Sequence, residues 1–462
     1  VETGERINWL ALFAIGIATV TIANDFSAIN VALPTMEGDF HTNINTIQWV
    51  VNAYALTFGV MIVTGGRLAD MFGRRNAFFV GATLFALFSA AGGVAPTETF
   101  LIATRALMGV GAALMLPAII GMTYGLLPED KAGLAGGIIM GAAGLGNAIG
   151  PLIGGVFTDL LTWRWIFFLN VPIAAFAMAV IWANVHLVEP EDSDHSIDYR
   201  GIAAISAGLV SLLVALDQVD DWGWGDPRVI ALLVIAVVGV VSFVPIERRA
   251  GRHALIPPAI IANRDFAAAC VAILCMSATF FASLLYLPQF MESQLHFSPL
   301  EAGLGMVPAL ATFALVSFIA GPLYSRLGAK RLAVIGAGCM CAAAVLFSLV
   351  GADSSYGALI PGMLVLGIGI GSFYPTATTA GVTSVDESQA SLAGGIVYMF
   401  QIAGGSIGLG LTTTIFSANI PPFIDGFQAG FRLDAGIALV GLAVSVLFVG
   451  GSLLARRATA TT

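Results

Sequence analysis

Two side chains could do chemistry in a chain that is otherwise mostly apolar. Asp25 lies inside the run WLALFAIGIATVTIANDFSAIN, and Arg105 inside FLIATRALMGVGAALML. A carboxylate near the middle of a membrane helix costs about 2.5–3.5 kcal/mol on insertion scales. Such residues face a cavity or a partner and mark a proton or substrate path. Removal from water favours the neutral form of a carboxyl. A group that loads a proton from one side and loses it to the other is what exchange of protons for a second solute requires. Arg105 is the one basic residue placed within a run, and its charge can sense or reset the state of Asp25. The plainer alternative is a structural ion pair between the two.

The elements that hold these groups follow from composition. Of 462 residues, 58% are hydrophobic and 10% charged, against about 25% charged in ordinary soluble domains. The chain is therefore expected to be an all-α polytopic membrane protein. Fourteen apolar runs are each long enough to cross a bilayer, from 8–30 at the start to 430–454 at the end. Backbone groups in lipid must bond internally, so the runs are helices; the short alternating strands of a barrel are not seen. Of the 19 Lys and Arg, Arg164, Arg228 and Arg432 fall on one side, Arg105 lies in a span, and the remaining fifteen fall on the other side. The positive-inside rule makes that side, with both termini, cytoplasmic. The expected plan is an N-terminal six-helix bundle (1–187), a cytoplasmic linker (188–199), an inserted two-helix pair (200–247), a second linker (248–265) and a C-terminal six-helix bundle (266–462). Ala418–Gly430 is expected as an external loop.

Between the second and third runs lies GGRLADMFGRR (65–75), whose one carboxylate and three arginines must sit at a membrane face. GPLYSRLGAKR (321–331) is a weaker echo in the second half, with Gly321 against Gly66. Two like turns in corresponding places indicate duplication.

Polar or amphipathic residues in or at the ends of spans are candidates to line a cavity: Asn24, Gln48, Asn52, Tyr54, Asn147, Tyr286, Gln289, Tyr398 and Gln401, with Phe280, Phe281 and Phe400 adding aromatic surface. A broad apolar cavity with a few polar groups suits amphipathic ligands, and aromatics near a carboxylate favour organic cations. GAAGLGNAIGPLIGG (141–155) has no GK[ST] and no preceding strand, so it is not a phosphate loop. Its small residues let helices approach closely, and Pro151 permits a bend; the face could seal the contact between the halves. Gly404, Gly405, Gly408 and Gly410 form a corresponding face in the second half. The five histidines and four cysteines show no ligand spacing, so no metal site or cofactor is expected, and no nucleic-acid partner.

With these residues in view, the chain resembles the major facilitator superfamily, specifically its fourteen-span drug:proton antiporter branch. GxxxDxxGRR is met by Gly66, Asp70, Gly73, Arg74 and Arg75, with Met71 where a basic residue is common. An Asp followed by NVALP is met by Asp25 and Asn30–Pro34. RxxQG is met in part by Arg105 and Gly109, with Met108 replacing the glutamine. GPxxGG is met by Gly150, Pro151, Gly154 and Gly155, and WRWIFFLNVP (163–172) is also similar to this branch. The resemblance implies a fold of two six-helix bundles plus two inserted helices. It implies proton-coupled export of amphipathic, cationic organic compounds by alternating access, driven by the proton gradient. Asp25 and Arg105 would handle the proton, Asp70 with Arg74 and Arg75 would latch the cytoplasmic side, and the GPxxGG face would serve exchange. The protein would be a monomer in the bacterial inner (plasma) membrane, in contact with lipid, and not an enzyme. A dedicated exporter of one lipid, antibiotic or siderophore, or a receptor or scaffold that does not transport, remains the alternative.

Overall fold

The computed structural model describes residues 7–185, 198–251, 254–420 and 422–449. Among them there is no strand. The helices are α1 (Trp9–Phe40), α2 (Ile44–Phe72), α3 (Arg74–Gly93), α4 (Glu98–Gly125), α5 (Ala132–Leu160), α6 (Arg164–Asn184), α7 (Tyr199–Trp222), α8 (Pro227–Ala250), α9 (Pro258–Ala262), α10 (Arg264–Leu295), α11 (Pro299–Gly305), α12 (Val307–Leu327), α13 (Ala329–Ser348), α14 (Tyr356–Val382), α15 (Ala390–Ala418) and α16 (Phe423–Leu447). Fourteen of the helical stretches are long and apolar enough to cross a membrane.

Polar residues punctuate the chain where helices must start. Asn43 accepts from Thr46 N, Thr97 from Phe100 N and Asn263 from Phe266 N, each filling an orphan donor of a first turn. The two halves repeat their stops. α1 and α10 end on left-handed His41 and His296. α2 passes to α3 through Gly73 (φ 96°) and α12 to α13 through Gly328 (φ 80°), a backbone open to glycine because it has no Cβ.

Two helices differ from the sequence expectation at their ends. α1 continues from 30 to Phe40 with Pro34 inside it, because its last turns pack on Trp163: the indole Nε1 donates to Asp39 Oδ2 at 2.8 Å and the ring lies 5.6 Å from Phe40. α16 begins at Phe423, so most of the expected external loop is helix. Phe423, Phe427 and Phe431 recur one turn apart and pack on Phe416, Phe290 and Phe347, which favours the helix over a solvated loop. Of the linker expected at 188–199, residues 188–197 lie outside the described residues, and Tyr199 opens α7. Within 248–265, α8 runs to Ala250, α9 follows at Pro258–Ala262, and Glu247 accepts from Leu255 N and Ile256 N at 3.2 and 3.0 Å.

α1 packs on α5 and α6, α2 on α4, and α3 on α4 and α6; α10 packs on α14, α15 and α16, and α13 on α14 and α16. Across the middle, α5 meets α12 and α14, and α2 and α4 meet α15. α7 and α8 pair with each other, and α7 also touches α2 and α15.

Glycines decide how close the middle can be. A Cβ at Gly133 or Gly137 would lie 2.8 Å from Gly321 O or Ser317 O, and Gly141 and Gly144 face Phe318 and Ala314, so this stripe of α5 carries the contact with α12. The motif glycines expected at the contact between halves are divided instead. Gly150 and Gly154 face Ser27 and Ala28 on α1, inside their own half, and Pro151 and Gly155 face Gly303 and Leu300 on α11. The reason is helical phase, since Gly146, Gly150 and Gly154 share one face and Gly133, Gly137, Gly141 and Gly144 another. α15 repeats the arrangement: Gly394 and Gly395 face α4 and α2, whereas Gly404, Gly405 and Gly408 lie on α10.

Candidate functional site

Asp25 and Arg105 are both fully buried. With α1 extended, Asp25 stands midway along its helix. Its Oδ2 forms an ion pair with Arg105 Nη1, and its Oδ1 accepts from Asn170 Nδ2 on α6 at 2.8 Å. Asn170 Nδ2 also lies 3.1 Å from Ser89 Oγ on α3, and that hydroxyl donates to Phe167 O. Arg105 Nε donates to Val50 O on α2 at 2.8 Å, and the guanidinium lies over the Tyr54 ring at 4.3 Å. Five helices of the first half therefore meet in one cluster, in which Arg105 and Asn170 touch the carboxylate itself. Met108 stands where the motif has glutamine, and its sulfur is a weak acceptor 3.8 Å from Arg105 Nη1. Arg105 Nη2, Tyr54 Oη, Asn170 Oδ1 and Asn24 Oδ1 are buried with no hydrogen-bond partner among the described residues.

Asn170 was not singled out in the sequence, although it lies in the quoted stretch WRWIFFLNVP. Its signal was that of any amide in an apolar run, and only the fold brings it to Asp25.

Beside the cluster a cavity of about 390 Å³ opens between the halves, within the usual size of small-molecule sites, roughly 300–1,000 Å³. α1, α2, α4, α5 and α7 line one side of it, and α10, α12, α14 and α15 the other. Of the candidates, Asn52, Tyr54, Asn147, Phe281, Tyr398 and Gln401 line it, together with Phe280 and the unanticipated Trp49, Tyr374 and Thr413. Asn24, Gln48, Tyr286, Gln289 and Phe400 do not. On α1 the lining residues are Thr19, Ile22, Ala23 and Phe26, and Asn24 is one helical step away from that face. Gln48 is exposed in the first turns of α2, Tyr286 donates to Thr413 Oγ1 at 2.7 Å from behind the wall, and Gln289 is about a turn beyond the lowest lining residue of α10. Among the described lining residues none is charged, and Asp25 itself is screened from the cavity. Tyr54 belongs to both places: it lines the cavity and lies against Arg105.

The third assembly is the turn at Gly66–Arg75. Asp70 Oδ1 and Oδ2 accept from Ser391 N and Leu392 N at 3.2 and 2.8 Å. A carboxylate thus caps the first turn of α15 from the other half, where the helix dipole favours negative charge. Gly66 permits this, since a Cβ there would lie 2.6 Å from Ser391 O. Arg74 pairs with Asp70 at 3.3 Å and donates to Gly121 O at 3.0 Å and to Glu387 O. Arg75 faces away and donates to Trp182 O at 3.0 Å.

A helical membrane fold in two related halves, joined around a central cavity with a buried acid beside it, defines a solute transporter by architecture. Residues 15–409 match the Major Facilitator Superfamily, and the chain belongs to that family. It is not an enzyme family. The chain is similar to the Puromycin resistance protein pur8 of Streptomyces alboniger, 31% identical with 96% of this chain and 89% of that protein covered. It is also similar to the Tetracenomycin C resistance and export protein of Streptomyces glaucescens, 29% identical over 89% of this chain and 76% of that one. The crystal structure of the human organic anion transporter MFSD10 (TETRAN) shares the fold, with a TM-score of 0.69, 14% identity, and 96% of this chain and 100% of that chain covered.

Proposed function

We propose that this protein is a proton-coupled exporter of amphipathic organic compounds, drugs or antibiotics among them, working by alternating access. The observation that carries the reading is the shared Tyr54: cargo in the cavity meets the same ring that lies under the guanidinium neutralising Asp25. Displacing Tyr54 changes what surrounds Arg105, and with it the balance between an ionised and a protonated Asp25. Cargo and proton then alternate: the proton enters from outside as cargo leaves, the two six-helix groups rock, and the proton departs inside as cargo loads. The relatives named for antibiotic resistance and export support the direction. Nine aromatic rings in the lining offer π faces to organic cations as well as to flat neutral molecules. A difference of 100 mV contributes about 2.3 kcal/mol per charge moved.

In this reading the face bearing Arg67, Arg74 and Arg75 is cytoplasmic, both termini lie on that side, and the chain acts as a monomer in a bacterial plasma membrane with no cofactor. The Asp70 contact with α15 closes the cytoplasmic face, and α7–α8 is an inserted pair between two transporting bundles. Both named relatives carry the name of a single antibiotic, which favours a dedicated exporter as the second reading. Proteoliposomes with an imposed pH gradient decide. Gradient-dependent uptake of several unrelated amphipaths is expected of wild type, and its loss in Asp25→Asn. Transport of one compound alone selects the second reading. Uptake that ignores the gradient contradicts both.

A further inference from the structure

Asp434 lies near the middle of α16 and is fully buried, yet neither the Asp25 cluster nor the cavity wall uses it. No ion pair reaches it among the described residues, and its Oδ2 has no hydrogen-bond partner there. Its one polar contact among the described residues is with Thr412. Thr412 Oγ1 lies 2.9 Å from Gly408 O and 2.8 Å from Asp434 Oδ1. A hydroxyl has a single proton, and a backbone carbonyl can only accept. One proton cannot serve both acceptors, so either Thr412 donates to Asp434 Oδ1 or a proton on the carboxyl makes that contact.

The surroundings agree on every side. α10 crosses with Phe290 against Phe427 and Met276 against Gly441, so the stretch opposite Asp434 is about Thr279–Ser283, with no charged side chain. α13 presents Cys341, whose thiol donates to Ala435 O at 3.8 Å, and no charge at that level. α15 presents Thr412 and Gly408. On α16 itself Arg432 is exposed and donates to Gln428 Oε1. A carboxylate in such a place would have no counter-ion among the described residues, which makes the neutral acid the favoured form.

We propose that Asp434 is a second proton-binding group, neutral in this conformation and coupled to the cavity through the Thr412–Thr413 turn of α15. Thr413 lines the cavity, and the next residue back holds the acid. A shift of this turn on cargo binding moves the polar partner of the Asp434 carboxyl. α15 also carries the Asp70 contact at its first turn, so one helix links the cavity, the closed face and the acid. The protonation stands apart from any transport; its part in the cycle rests on the function proposed above.

The test is infrared spectroscopy of purified protein in lipid nanodiscs at neutral pH, followed by proton-to-cargo ratios in proteoliposomes. Wild type shows a protonated-carboxyl band that disappears in Asp434→Asn, persists in Asp25→Asn and shifts in Thr412→Val. Should Asp434→Asn not fold, the Thr412→Val shift decides alone. Coincident wild-type and Asp434→Asn spectra, or a band unmoved by Thr412→Val, overturn the assignment. In transport, Asp434→Asn carries cargo with one proton fewer per molecule, and an unchanged ratio overturns the coupling. If wild type moves no protons at all, the proposed function fails while the spectra still decide the site.

Discussion

At Gly73 and Gly328 the chain makes the same turn, and behind each turn a glycine backs onto a helix of the other half: Gly66 onto Ser391 and Leu392, Gly321 onto Gly133 and Leu134. In the first turn Asp70 accepts from two backbone amides of α15. In the second the corresponding residue is Ser325, whose hydroxyl donates to Asp130 O at 3.1 Å. The acids deep in the bundles differ in the same sense. Asp25 meets an arginine and an amide, whereas among the described residues Asp434 meets Thr412 as its one polar partner. The duplicated backbone thus sets where two interfaces close, and charge placed in one copy makes them unequal. An interface held by a carboxylate on a helix terminus responds to electrostatics; one held by glycine contacts and a neutral hydroxyl does not.

The largest break in this comparison is expected at Arg105. Arg105→Met leaves Asp25 buried without its counter-ion and should destabilise the protein by about 3–5 kcal/mol, with Asp25→Asn in the same chain restoring most of that. Asp434→Asn replaces a neutral acid by a neutral amide and should change stability by no more than about 0.5–1.5 kcal/mol, the worth of one hydrogen bond. Denaturant unfolding in detergent measures both. If the two single variants cost the same, the contrast between the acids is wrong.

The turns come next. Asp70→Asn weakens two charge-assisted bonds, worth about 1.5–3 kcal/mol each, whereas Ser325→Ala removes a neutral one worth about 0.5–1.5 kcal/mol. Distances between spin labels across the two faces should show Asp70→Asn populating a form open at the arginine-rich face, and Ser325→Ala nearly unchanged. Equal shifts would mean that the halves share the latch.

The smallest effect sharpens the role of the glycine stripe. Gly137→Ala puts a Cβ 2.8 Å from Ser317 O and should cost about 1–3 kcal/mol. Gly338→Ala on α13 points into open space and should stay within about 0.5 kcal/mol. Thermal unfolding of the two variants separates packing between the halves from helix propensity.

Much of the fold could be read from the chain because hydrocarbon allows few solutions, and fourteen apolar runs leave little but helices. The ends were harder: Trp163 and the Phe423–Phe427–Phe431 ladder stabilise turns that hydropathy assigns to loops. Asp25 and Arg105 stand out because a charge inside an apolar run has few explanations. Asn170 did not, since an amide there has many. Asp434 does not stand out, because in an apolar run beginning at 430 it lies near the end, two residues from Arg432. Which polar residues face the cavity depends on helical phase to within one residue, as Ala23 against Asn24 shows. Sequence spacing alone does not supply that phase.

The most direct measurement is proton release from detergent-purified protein in weak buffer as a transported amphipath is added. Release that saturates with cargo in wild type and is lost in Asp25→Asn is the predicted result. Cargo that binds equally well to both, with the same number of protons released, would contradict the account.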